Sequence, residues 1–67
     1  MSANLAPLIR MANQIDTNLA HEDDPAGATA EHIRQFWDPR MKAAIRAHDG
    51  SGLSPDAARA VALLENA

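Results

Sequence analysis

The chain reads as an all-α protein, a small bundle of about four short helices with a proline bend near its middle. Three observations predict this. Apolar residues recur at helical spacing in four separate segments. A capping residue followed by proline occurs three times, at Asp24-Pro25, Asp38-Pro39 and Ser54-Pro55. Such a pair supplies what a helix start needs: an acceptor for unpartnered backbone N–H groups, then a residue whose own N–H is not missed. No segment alternates polar and apolar residues with the period of a strand, and there is no internal repeat or low-complexity tract.

The first helix is expected over about 4–19, where Leu5, Leu8, Ile9, Ala12, Ile15 and Leu19 make one apolar stripe. Asn4 is a suitable cap and Pro7 falls in the first turn, where proline is tolerated. Arg10, Asn13, Gln14 and Asp16 occupy the opposite face. His21-Glu22-Asp23-Asp24 is an acidic connector. The second helix, about 25–37, carries Ala30, Ile33, Phe36 and Trp37 on one side, and Gly27 weakens its first turn by up to about 1 kcal/mol relative to alanine. The third, about 39–48, puts Met41, Ala44, Ile45 and His48 on a common face. With Asp38 pushed out of the α region by Pro39, the second and third helices are expected to behave as one bent element. Asp49-Gly50-Ser51-Gly52 forms the next turn, with Gly50 suited to a left-handed helix terminus. The fourth helix, about 55–64, shows Ala58, Val61 and Leu64 with Leu63 beside them, and Asp56 placed favourably against the helix dipole.

Sixty-seven residues make one domain, 1–67, close to the smallest that buries a sufficient core unaided. Domains of this size commonly recruit disulfides, metals or partner chains. The absence of cysteine excludes disulfides, thiolate zinc sites and cysteine-ligated iron–sulfur clusters, which leaves a partner chain. No run is long enough to span a bilayer and the first residues lack the pattern of a secretory signal, so a cytoplasmic location is expected. The net charge of −3 argues against nonspecific nucleic-acid binding. Four of the six basic residues, Arg34, Arg40, Lys42 and Arg46, nevertheless gather around the central corner.

That corner, Phe36-Trp37-Asp38-Pro39-Arg40-Met41, holds the only Phe and the only Trp. Trp and Arg are the side chains that most often dominate interface energies, so the corner is an anchor, either of the chain's own core or of a partner. Adjacent rings on a helix point about 100° apart, and both do not fit easily into one thin core. The basic residues form a solvated face, a docking surface for an acidic protein patch, or a weak nucleic-acid surface. Catalytic patterns are missing. His21, His32 and His48 match no metal-ligand spacing, no nucleophile has a base at a telling distance, and the glycines of 50–52 lack the setting of a phosphate loop.

Three phrases carry a resemblance when taken in order: Leu8-Ile9-Arg10-Met11-Ala12-Asn13-Gln14-Ile15, His32-Ile33-Arg34-Gln35-Phe36-Trp37-Asp38-Pro39-Arg40-Met41, and Gly52-Leu53-Ser54-Pro55. Together they resemble the delta subunit of the soluble, NAD-dependent, molybdenum-containing formate dehydrogenases of bacteria. The resemblance covers nearly the whole chain, the stretch 16–29 excepted. It implies a non-catalytic accessory subunit that supports complex assembly or stability and molybdenum cofactor acquisition or retention. Other subunits would carry the bis-molybdopterin guanine dinucleotide, iron–sulfur clusters and FMN and pass electrons from formate to NAD; this chain would hold no cofactor. Docking on the large catalytic subunit is expected to fall on Arg10, Met11, Asn13, Gln14, Arg34, Phe36, Trp37, Asp38, Arg40 and Met41. The rival reading is a stand-alone helical regulator, homodimeric or DNA-binding; a cofactor-insertion chaperone that leaves the mature enzyme is a third.

Overall fold

Three of the four helices begin where a side chain caps them. The computed structural model describes residues 5–64 and contains α1 (Ala6–Asn18), α2 (Pro25–Phe36), α3 (Pro39–Ala47) and α4 (Pro55–Leu64). Asp24 Oδ1 accepts from the Gly27 N–H at 3.1 Å, Asp38 Oδ1 from the Met41 N–H at 2.9 Å, and Ser54 Oγ from the Ala57 N–H at 3.3 Å. The proline after each cap sits in the first turn, as the sequence requires. The expected cap Asn4 lies outside the described residues. Gly27 has a use that propensity alone hides: a β-carbon there would run into the Asp24 carboxylate, so the residue that weakens the turn also lets its cap close.

Between α2 and α3 the backbone is extended at Trp37 (φ −87°, ψ 142°) and at Asp38 (φ −75°, ψ 166°). The two helices are therefore separate elements and not one bent element. α2 packs mainly along α4, α1 lies on α2, and α3 turns away from α2 to rest on α4 and α1. Gly50 has a positive φ of 94°, but α3 ends earlier, at an extended His48, so Gly50 shapes the following loop and does not terminate the helix.

One buried cluster joins Ala12, Ala30, Ile33, Trp37, Ile45, Ala57, Ala60, Val61 and Leu64. Leu8, Ile9, Ile15, Met41 and Leu53 pack partly buried around it. The inner face of α4 is Ala57, Ala60, Val61 and Leu64, whereas Ala58 is only half-buried and Leu63 is exposed. Alanine supplies much of this core because the distance between packed helices is set by the side chains at the contact. Small residues on both α2 and α4 bring the two axes together. Thr29 is fully enclosed in α2, and its Oγ1 makes no hydrogen bond.

Candidate functional site

Phe36 and Trp37 have opposite fates. Trp37 is 5% exposed and belongs to the core, while Phe36 is 71% exposed. The extended backbone at Trp37 swings its indole inward just as α2 ends at Phe36. The phenyl ring stays outside, where the His32 ring one turn earlier meets it at 4.7 Å between centroids, tilted by 37°. These two rings form one wall of an open groove of about 370 Å³, completed by Met11, Gln14 and Ile15 of α1, an edge of Trp37, and Met41 of α3. Gln14 and His32 are the only polar side chains lining it. Met11, 41% exposed, and Phe36 leave an apolar surface open to solvent, and methionine suits such a groove because its flexible thioether adapts to whatever packs there.

Five of the expected docking residues thus converge: Met11, Gln14, Phe36, Trp37 and Met41. The other five do not line the groove. Asn13 works inside the protein, donating from Nδ2 to the Gly52 carbonyl at 2.9 Å and accepting the Ser54 N–H on Oδ1 at 2.8 Å. Asp16 adds a hydrogen bond from Ser54 Oγ at 2.9 Å, so the polar face of α1 clamps the loop between α3 and α4. Asp38 caps α3. Arg34 lies on the far side of α2, with its Nη1 on Glu31 at 3.0 Å. Arg10 and Arg40 are exposed, and Arg40 sits in the first turn of α3, where a cation opposes the helix dipole. Ile15 comes from the apolar stripe of the first helix, and His32 joins the groove unexpected. The spacing of His32 and Phe36, one turn apart on a helix, was the signal for the latter.

Among the described residues no group of three His, Cys, Asp or Glu converges on a point. His21 meets Glu22 at 3.1 Å, and His48 Nε2 lies 2.8 Å from the Ser51 carbonyl. With no cysteine in the chain, a cysteine-ligated iron–sulfur cluster finds no ligand here. Two exposed carboxylates titrate below their ordinary values: Glu31 through hydrogen bonds from Gln35 and then Arg34, and Asp49 through the Ser51 N–H. Neither lines the groove. Nor is any described helix long and apolar enough to cross a membrane.

Residues 7–61 match the NADH-dependent formate dehydrogenase delta subunit family, FdsD. The chain belongs to that family. No curated protein and no solved structure matches it significantly. As a formate dehydrogenase delta subunit, it has other subunits of a complex as its partners, and the match spans both the groove and the Asn13 clamp that holds the loop before α4.

Proposed function

We propose that this delta subunit is non-catalytic and docks on the large catalytic subunit of a cytoplasmic NAD-dependent formate dehydrogenase through the groove between α1 and the Phe36–Met41 corner. The role of the contact is to support assembly or stability of the complex and acquisition or retention of its molybdenum cofactor. Other subunits hold that cofactor, the iron–sulfur clusters and FMN, and bind NAD.

The observation that carries this reading is Phe36, the chain's one phenylalanine, held out in solvent beside an apolar groove in a protein whose core is short of large side chains. Exposed contiguous apolar surface rimmed by polar residues is the usual mark of a protein interface. The test is co-purification of Phe36→Asp with the other subunits. The variant should fold, since the ring is outside the core, and should fall away from the complex. Recovery at wild-type stoichiometry would overturn the docking assignment. The same ring and groove also suit self-association of a stand-alone regulator, and sedimentation of the isolated chain as a stable dimer would favour that second reading.

A further inference from the structure

We infer that the notch between Arg34, Lys42 and Arg46 receives an aspartate or glutamate side chain of the partner subunit. This deepens the docking reading and rests on it. Arg34, Pro39, Lys42, Arg46 and Leu64 enclose about 190 Å³, below the roughly 300–1,000 Å³ of sites that hold a small molecule or cofactor. The space suits one side chain.

Charge fixes the sign of the occupant. Lys42 and Arg46 stand one turn apart on α3, a like-charged pair that slightly weakens a helix unless something acidic meets it. Arg34 faces them from α2, and no acidic residue lines the notch. Glu31 is held by Arg34 Nη1 at 3.0 Å and by Gln35 at 2.9 Å. The Lys42 ammonium reaches only the Arg34 carbonyl, at 3.3 Å. Arg46 has no hydrogen bond or ion pair among the described residues. Arg34 Nε is enclosed without an acceptor, and its Nη2 reaches the Leu63 carbonyl at a long 3.4 Å. Three cations therefore converge, on a chain of net charge −3; Arg34 is already paired with Glu31, whereas Lys42 meets only a carbonyl and Arg46 meets nothing among the described residues. A carboxylate satisfies Lys42 and Arg46 by short charge-assisted hydrogen bonds, two of them parallel if it meets the Arg46 guanidinium in plane. Pro39 and Leu64 give apolar surface for the methylenes of Asp or Glu, which a phosphate chain would not use, and the net charge opposes a polyanion.

Position links the notch to the groove. Arg34 lies about 200° around α2 from both His32 and Phe36, so groove and notch flank the Trp37–Pro39 corner from opposite sides and share no residue. A partner surface folded over the corner fills both, the groove with apolar side chains and the notch with a carboxylate.

The experiment measures binding of Lys42→Gln/Arg46→Gln to formate dehydrogenase purified without its delta subunit, at low and at physiological salt. The expected result is a loss of about tenfold or more at low salt and a much flatter salt dependence, with Arg59→Gln, a cation outside the notch, behaving as wild type. If the double variant loses helicity, Arg46→Gln alone carries the test, because that side chain is exposed and unpaired. Wild-type affinity and salt dependence in the double variant overturn the inference; if Phe36→Asp then still abolishes binding, the docking reading survives without it. If Phe36→Asp binds normally as well, both fail. A wild-type dimer that the double variant dissolves, with unchanged affinity for the enzyme, would assign the notch to an acidic side chain of a second copy and overturn the inference too.

Discussion

Truncating Trp37 to alanine should severely destabilise the isolated protein, and truncating its neighbour Phe36 should not. A tryptophan side chain buries about 150–250 Å², and Trp37 is 5% exposed. At about 25 cal/mol per Å² of apolar surface that burial stabilises the fold by about 4–6 kcal/mol, in line with the roughly 3–5 kcal/mol that large aromatic truncations cost in cores. A domain of this length is stable by only about 3–10 kcal/mol. Trp37→Ala thus removes between about 40% and all of the margin. Phe36 is 71% exposed, so Phe36→Ala should change stability by no more than about 0.5 kcal/mol. Urea unfolding followed by far-UV circular dichroism checks both, since the tryptophan variant has no indole left to fluoresce. The assignment of the two rings is refuted if Trp37→Ala keeps the wild-type midpoint, or if Phe36→Ala is the more damaging change.

Three further outcomes follow from the geometry. Thr29→Val removes a hydroxyl that is fully enclosed and unpartnered while keeping its shape; it should stabilise by about 1 kcal/mol, a rise of roughly 4–8 °C in Tm by calorimetry, and a fall in Tm would mean that the hydroxyl has a partner. Asn13→Ala leaves the Gly52 carbonyl and Ser54 N–H without their partners and should cost about 1–3 kcal/mol in chemical denaturation, whereas an unchanged midpoint would show that the clamp contributes nothing. Glu31 and Asp49 have lowered pKa values, the first mainly through Gln35 and the second mainly through the Ser51 N–H. A depressed carboxylate stabilises the fold above its unfolded pKa and loses that contribution as pH falls through the lower folded value, so stability should decline in acid, below about pH 4. NMR titration should give both midpoints below the ordinary range, with Gln35→Ala moving Glu31 back toward it; an ordinary midpoint in the wild type excludes that hydrogen bond in solution.

The sequence fell short wherever side-chain size was taken as the guide to burial. Counting large apolar residues gives Phe36 and Leu63 as much claim on the core as Trp37 and Leu64, and overlooks Ala57 and Ala60. Polarity misleads in the same way: Asn13 and Asp16 occupy the polar face of α1, yet that face is what clamps the loop before α4. The groove was half legible. Phe36, Trp37 and Met41 stand out at the corner and Met11 and Gln14 in the first-helix phrase Leu8–Ile15, but nothing local shows that α1 brings its share to the same hollow.

What the sequence determined by itself was local: four helices, three of them begun by Asp24, Asp38 and Ser54 with a proline after each, and no thiol to ligate a metal. Capping and proline geometry act over one turn of chain, so neighbouring residues suffice to read them. Only the tertiary structure decided which ring is core and which is offered to solvent, and that Arg34, Lys42 and Arg46 meet across two helices. Those outcomes depend on how closely the alanine faces of α2 and α4 approach and on the extended backbone at Trp37 and Asp38, and neither is a property of any single segment.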